Sequence, residues 1–162
     1  MYCLESRSVE KGASGEVVTA LLGAHPQAAA VRDRAGKLPL HWAAGEQASA
    51  EVVAALLDAH PEGAKVKDSG GRLPLHLAAA NQASAEVVTA LLDAHRDGAK
   101  VKDEDGRLPL HCALLCGSPA PLVEGLISLW PESCLEKDRS GISPLQIARA
   151  QFHGRRDGDD ES

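Results

Sequence analysis

Aromatic side chains are scarce in this 162-residue chain, at 2% of residues, although 44% of the sequence is apolar. A core built from this sequence must consist of Ala, Leu and Val, whose small side chains suit closely packed helices. Strand signals are also scarce, because the few Val-Val pairs lie within helical spacing. No apolar run approaches the roughly 18 to 20 residues that a membrane helix needs. We therefore expect a soluble all-α protein with no membrane partner.

Signals for secretion, disulfides and nucleic-acid binding are absent as well. The first residues, MYCLESRSVEKGASG, contain no apolar stretch of the kind that a secretory signal needs. The four cysteines fit reduced thiols better than a disulfide framework. A formal net charge of −6 disfavours nonspecific binding of nucleic acid. A cytoplasmic location is expected, with a nuclear one left open.

Sequence signatures of catalysis are missing too. The chain has no G-x-S-x-G, G-x-x-x-x-G-K-[ST], G-x-G-x-x-G, H-E-x-x-H or C-x-x-C pattern. Catalytic carboxylates need no motif, but the recurrent acids Asp33, Asp68, Asp103 and Asp138 have a sufficient role as turn formers. The sequence predicts that the protein is not an enzyme and takes no cofactor.

What the chain does contain is an internal repeat. One motif reads GKLPLHWAA from Gly36, GRLPLHLAA from Gly71, GRLPLHCAL from Gly106 and GISPLQIAR from Gly141, each 35 residues after the last. A second motif, Glu-Val-Val followed by a Leu pair, keeps the same step and diverges to PLVEGLI in its last copy. A fixed period of this size is typical of repeat architectures.

The chemistry of one unit predicts a turn and two helices. In DSGG, from Asp68 to Gly71, Asp at the first and Gly at the fourth position are typical of a type I turn. Pro74 fits the first turn of a helix, where its missing N–H is not needed. Ser84 followed by Glu86 predicts the start of a second helix, and His95 falls near its end. Such a unit cannot bury its apolar stripe alone, so stacked copies should form an elongated α-solenoid with hairpin connections.

The pattern D-x-x-G-x-L-P-L-H-x-A-A followed by E-V-V-x-A-L-L resembles the ankyrin repeat, whose signature is T-P-L-H-x-A and whose period is about 33 residues. The longer period here places extra residues in the connections, where insertions cost little. In place of the family's Thr stand Leu38, Leu73 and Leu108. The family's Thr hydroxyl meets the motif histidine, so the histidine is expected to lack its usual partner here. Leu73→Thr is expected to stabilise the array if Leu73 is not buried between repeats.

The repeat register predicts the domain organisation. Residues 1–153 form the array: a degenerate N-terminal repeat at 1–35, full repeats at 36–70, 71–105 and 106–140, and a C-terminal half repeat at 141–153. Polar residues near the N terminus would suit an outward-facing cap. Residues 154–162 are charged and are expected to be disordered.

The recurrent histidines and two cysteines raise the question of a metal site. Zinc needs ligand nitrogens within about 2.0 to 2.1 Å of one ion, whereas stacked helices lie about 8 to 10 Å apart. Equivalent histidines in successive repeats are therefore interpreted as structural. Cys112 and Cys116 share a helix face at i, i+4, but His111 points about 100° away around the helix. Both cysteines are interpreted as small hydrophobes, and a metal or redox site there remains a distant alternative.

The ankyrin resemblance implies a protein-binding scaffold that uses hairpin tips and first-helix faces on a concave side. Carried over by position, that surface comprises Arg32, Arg34, Lys37, Glu46, Lys67, Ser69, Arg72, Asn81, Lys102, Glu104, Asp105, Arg107, Lys137 and Arg139. Nine of these residues are basic and three are acidic, which suggests an acidic or phosphorylated partner segment. The four turn aspartates interleave with them and reduce that balance from +6 to +2.

Three classes of function remain open. The leading one is a monomeric module that binds a partner protein and does not bind nucleic acid. The second is a regulatory or targeting fragment of a larger multidomain signalling protein. The third is the metal or redox site at Cys112 and Cys116.

Overall fold

The structure is a computed structural model that describes residues 14–154, with the side chains of residues 16–151. Two predictions lie outside the described residues: the polar cap within residues 1–13 and, apart from Gly154, the disordered charged tail. Among the described residues there are eight α-helices and no strand, and no helix is long and apolar enough to cross a membrane.

The α-helices form two parallel rows. The first row, which we call the first-helix row, contains α2 (Pro39–Gly45), α4 (Pro74–Ala80), α6 (Pro109–Leu115) and α8 (Pro144–Gly154). The second-helix row contains α1 (Ser14–Ala24), α3 (Ala50–Ala59), α5 (Ala85–Ala94) and α7 (Ala120–Leu129). Each helix contacts its neighbours in its own row, and α2, α4 and α6 also contact the helix that follows each of them along the chain. The predicted α-solenoid is therefore confirmed.

A short 3₁₀ helix follows each helix of the second row and leads the chain towards the next hairpin. These segments are Pro26–Ala30, Pro61–Lys65, Arg96–Lys100 and Pro131–Leu135. His95 lies at the C-terminal boundary of α5, where its backbone N–H donates to the carbonyl of Leu91 at 2.9 Å. The predicted end of that helix is thus confirmed.

Small side chains set the spacing between helices. Ala44, Ala78, Ala79 and Ala113 have no exposed surface, and they lie in the first-helix row. Alanine at these points allows close backbone approach, and the motif leucines complete the core. The helices of the first-helix row begin at a proline, as predicted, because proline at this position has no N–H to leave unpaired.

Candidate functional site

The hairpin between successive repeats is built around one aspartate side chain. Asp68 Oδ1 accepts hydrogen bonds from the backbone N–H groups of Gly70 and Arg72, both at 2.9 Å, and the Asp68 carbonyl accepts from Gly71 N–H at 2.9 Å. Gly71 has a φ of +72°, which favours glycine. The equivalent aspartates Asp33, Asp103 and Asp138 make the same two side-chain bonds. The predicted role of these acids as turn formers is therefore confirmed.

Backbone hydrogen bonds join each hairpin tip to the next. Ser69 N–H donates to the Ala35 carbonyl at 2.9 Å, and Glu104 N–H donates to the Gly70 carbonyl at 3.0 Å. Arg139 N–H completes the series at the Asp105 carbonyl, at 2.9 Å. These bonds hold four tips side by side, so the exposed side chains of successive tips lie along one edge of the molecule. We call this edge, together with the adjoining surface of the first-helix row, the hairpin face.

One set of cations on the hairpin face connects neighbouring repeats. Its members are Arg32, Lys67, Lys102 and Lys137. Lys67 Nζ donates to the Lys102 carbonyl at 2.9 Å, and Lys102 Nζ donates to the Lys137 carbonyl at 3.1 Å. Arg32 makes the equivalent, longer contact of 3.5 Å with the Lys67 carbonyl. Lys102 also pairs with Glu136 at 2.9 Å. Most of this set therefore has a structural role in addition to its charge.

The other set of cations, at the repeat position of Lys37, Arg72 and Arg107, is partly neutralised. Two nitrogens of the Arg72 guanidinium contact Asp68 Oδ2, at 2.9 and 3.1 Å, and the Asp68 side chain is almost fully buried. Arg107 pairs with Asp105 at 3.2 Å and lies 4.0 Å from Asp138. Arg72 and Arg107 are thus partly exposed, and each forms an ion pair with a neighbouring carboxylate. Arg72 lies against Asp68, four residues earlier in the same turn. Arg107 lies between Asp105 of its own repeat and Asp138 of the next repeat.

The remaining predicted residues lie at the tips and at the helix ends. Lys37 Nζ lies 4.2 Å above the ring of Trp42, an arrangement that favours a cation. Ser69 Oγ donates to the Ala35 carbonyl at 2.8 Å. Glu46 and Asn81 are exposed at the ends of α2 and α4. Four further exposed side chains lie at the tips, namely Arg34, Glu104, Asp105 and Arg139.

The motif histidines are fully hydrogen-bonded, which corrects the expectation that they lack a partner. His76 Nδ1 accepts from the Leu73 N–H at 3.1 Å, so its proton is on Nε2, which donates to the Arg107 carbonyl at 3.2 Å. His41 and His111 make equivalent bonds. Burial lowers the pKa of His76 to about 4 and lowers the pKa values of the other two. The backbone N–H of the preceding leucine therefore provides the hydrogen-bond partner of each Nδ1.

The three cysteines that the structure describes do not form a cluster with one another. Burial raises the pKa of the partly buried Cys112 thiol to about 12, so this thiol is protonated and a weak metal ligand or nucleophile. Cys112, Cys116 and Cys134 are all free. Within residues 14–154 no group of three or more His, Cys, Asp or Glu side chains is placed to hold a metal ion. Cys112 is partly buried, as expected of a small hydrophobe, whereas Cys116 is exposed, so that interpretation is wrong for Cys116.

One surface feature was missed by the sequence reasoning. Trp42 is 47% exposed and lines an open groove at the N-terminal edge of the array. Its Nε1 donates to Asp33 Oδ2 at 3.0 Å. The available signal was its position, because this large aromatic side chain occupies the repeat position of Leu77, Cys112 and Ile147 in a chain with few aromatics.

The fold and the hairpin face define a class, a helical repeat array whose units are joined by hydrogen-bonded hairpins. A family model described as ankyrin repeats (3 copies) matches residues 6–105 and 51–138, so the chain belongs to the ankyrin repeat family. Comparison with curated proteins finds no match. Ankyrin repeats are in general protein–protein interaction modules.

Proposed function

We propose that the chain is a non-catalytic, monomeric scaffold that binds a partner protein through the hairpin face, and that the partner presents an acidic or phosphorylated segment. The observation that carries this proposal is the series of tip-to-tip hydrogen bonds, from Ser69 to Ala35 onward, at 2.9 to 3.0 Å. A surface held in this way is preorganised, which lowers the ordering cost of binding. Free thiols within the array are compatible with a reducing compartment such as the cytoplasm or nucleus.

The cations best placed for such a partner are those without an ion pair. Arg34, Lys137 and Arg139 are exposed on the hairpin face, and they make no salt bridge within the described residues. Arg72 and Arg107 are unsuitable for a reversal test, because a glutamate in place of Arg72 would lie against the buried Asp68 carboxylate and unfold the turn. The test therefore reverses exposed positions.

The experiment compares the full chain with the double variant Arg34→Glu, Arg139→Glu. Each is immobilised and exposed to cell lysate, and partners retained by the unmodified chain are identified by mass spectrometry and measured individually. We expect the double variant to associate about tenfold more slowly with such a partner, because exposed charges act mainly on the association rate. Its melting temperature should be unchanged.

The control is Lys65→Glu, Arg96→Glu, two exposed cations on 3₁₀ helices outside the hairpin face. Unlike the tested residues, Lys65 forms an ion pair, with Glu62 at 2.9 Å. This double variant should leave binding unchanged. Binding should also weaken with salt, since the Debye length falls from about 10 Å at 0.1 M to about 3 Å at 1 M. Equal loss of binding in both double variants, or an affinity that ignores salt, would overturn the proposal for the hairpin face.

A further inference from the structure

The N-terminal edge of the array carries an open, largely apolar groove of about 690 Å³, bounded by α1, α2 and α3. Six apolar residues that line it are Val18, Val31, Trp42, Ala43, Val52 and Leu56. Val31 is 64% exposed, which is unusual for a large aliphatic side chain beside a core. A concave apolar surface of this size falls in the range of ligand and peptide sites.

The repeat itself shows what kind of element fits the groove. Trp42 is 47% exposed, whereas Leu77, at the same position one repeat later, is 8% exposed. Leu77 is covered by α2, since a Cβ placed on Gly45 would lie 3.8 Å from the Leu77 Cβ. Pro39 is likewise half-buried, while its counterpart Pro74 is buried. Inside the array, a helix of the preceding repeat covers these positions, so the groove matches a helix of about two turns.

The charges around the groove indicate where acidic side chains of that helix would lie. Arg32 and Lys37 line its hairpin end, and Glu46 lines the end beside the C terminus of α2. Asp33 also lines this end and reduces its formal charge from +2 to +1, and its carboxylate accepts three N–H donors at 2.8 to 3.0 Å, from Ala35, Lys37 and Trp42. A helix that continues the first-helix row would run parallel to α2 and have its N terminus at the cationic end. Acidic side chains in its first turn would then offset both the groove cations and the positive end of the helix dipole.

The chain's own first residues match this groove poorly in the repeat register. At a step of 35 residues, Glu5 and Ser6 take the positions of Leu40 and His41, which are 2% and 0% exposed. Burying a carboxylate without a partner is strongly unfavourable. A helix with leucine in place of Glu5 would bury an apolar side chain at this position, which favours binding, whereas Glu5 would bury a carboxylate.

We propose that the groove docks a short amphipathic helix from a partner protein. The helix has Leu-sized side chains that pack on Trp42 and Val31, and it has acidic residues in its first turn beside Arg32 and Lys37. This site lies at the edge of the array and binds a different element from the segment proposed for the hairpin face.

The probe is a hydrocarbon-stapled 12-residue peptide with Leu at positions i, i+3, i+4 and i+7 and two Glu in its first turn. The staple is needed because free helices of this length are marginal in water. In the full chain with Trp130→Phe, Trp42 is the tryptophan reporter. Saturable binding should shift the Trp42 emission to shorter wavelength as the ring is buried. A twin peptide with Lys in place of Glu should bind about tenfold more weakly.

Two exposed apolar positions at opposite edges provide matched variants. Val31→Asp, in the groove, should weaken peptide binding at least about tenfold through loss of apolar contact. Leu145→Asp, at the C-terminal edge, should leave binding unchanged, although Leu145 is exposed to a similar degree, at 57% against 64%. Neither side chain is buried, so the melting temperatures should stay close to that of the parent chain.

Three outcomes would overturn the proposal. One is equal loss of binding in Val31→Asp and Leu145→Asp, and another is indifference to the Glu-to-Lys exchange in the peptide. The third is binding only after residues 1–13 are removed, which would assign the groove to the chain's own N terminus. The double variant Arg34→Glu, Arg139→Glu should bind the peptide normally, so failure of this proposal is distinguishable from failure of the hairpin-face proposal.

Discussion

His76 and Leu73 together form the start of α4 without a side-chain oxygen at the cap position. The Leu73 N–H is bonded to His76 Nδ1 at 3.1 Å, and the His76 N–H is bonded to the Leu73 carbonyl at 3.0 Å. In the last repeat, Ser143 and Gln146 supply the more usual reciprocal pair, with Ser143 N–H donating to Gln146 Oε1 at 2.8 Å and Gln146 N–H donating to Ser143 Oγ at 3.4 Å. Both arrangements pair the same backbone groups, so leucine carries no capping penalty here.

The buried state of Leu73 reverses the effect expected of Leu73→Thr. Leu73 is 1% exposed, so threonine removes buried apolar volume and brings a hydroxyl into the core. We expect the variant to lose about 1 to 3 kcal/mol of unfolding free energy, measured by urea denaturation. Leu73→Ala is the control that separates packing from capping. A threonine variant more stable than the parent chain would show that the cap outweighs the packing.

At the scale of the element, two kinds of connection require positive φ. Hairpin glycines such as Gly71 lie at φ +72° and also lie close to the next hairpin, since a Cβ there would be 2.9 Å from Glu104 N. The loop between the paired helices adopts φ +56° at Gln47, +57° at Gln82 and +67° at Gly117. The two glutamines compensate for this conformation by donating to carbonyls of the next repeat, at 2.7 and 3.0 Å.

Alanine substitutions at Gly71 and Gly117 should therefore differ in cost. A Cβ at Gly117 would have no atom within 4 Å. Gly117→Ala should therefore lose only the cost of positive φ for alanine, about 1 kcal/mol of unfolding free energy. Gly71→Ala adds a clash with Glu104 N, whose hydrogen bond to the Gly70 carbonyl joins the tips at 3.0 Å. We expect Gly71→Ala to be the more destabilising by at least about 1 kcal/mol in denaturant unfolding. Equal losses would mean that the tip-to-tip bond adds nothing to stability.

At the scale of the whole molecule, the three motif histidines join four repeats. The Nε2 atoms of His41, His76 and His111 each donate to a carbonyl of the following repeat at 3.2 Å. Protonation of Nδ1 would remove the acceptor that the leucine N–H uses, so the folded array prefers neutral histidine. Because neighbouring repeats stabilise one another, loss of these bonds should weaken the array as a unit.

This preference predicts that the array loses stability as the pH falls below 6.5. The unfolded histidine, with a pKa of 6.5, takes up a proton before the folded His76 does at about 4. Stability is therefore full above 6.5 and falls until about 4, with a loss of about 3 kcal/mol from His76. Asp103 opposes this shift in the folded state and Lys67 adds to it. Denaturant unfolding across this range measures the effect.

The control for the pH prediction is His76→Gln, since Gln146 takes the equivalent position in the last repeat with its Oε1 as acceptor. The unfolding free energy of this variant should fall less between pH 6.5 and 4 than that of the parent chain. The difference should equal the contribution of His76. The lowered pKa of Asp68 affects stability in a different pH range. Its contribution to the unfolding free energy is lost only below the ordinary carboxyl value of 3.8. An unfolding free energy that stays constant from pH 6.5 to 4 would refute the proposed role of the histidines.

The sequence by itself determined the repeated unit, because its signals are local. The aspartate turn, the helix start at Pro74 and the end of α5 at His95 each depend on backbone groups within a few residues. The family followed from the same motifs, which the family comparison confirmed. The boundaries of the repeats and the surface that binds a partner stay predictions.

Only the tertiary structure decided which side chains are free, because that depends on contacts between residues 31 to 35 positions apart. Stacking placed the Arg107 carbonyl against His76 and the Lys102 carbonyl against Lys67. It also buried Leu73, and it left Trp42 exposed at an edge where Leu77 is covered. Identical motifs thus have different roles in the middle and at the edge of the array, since burial is set by the neighbouring repeat and not by the motif.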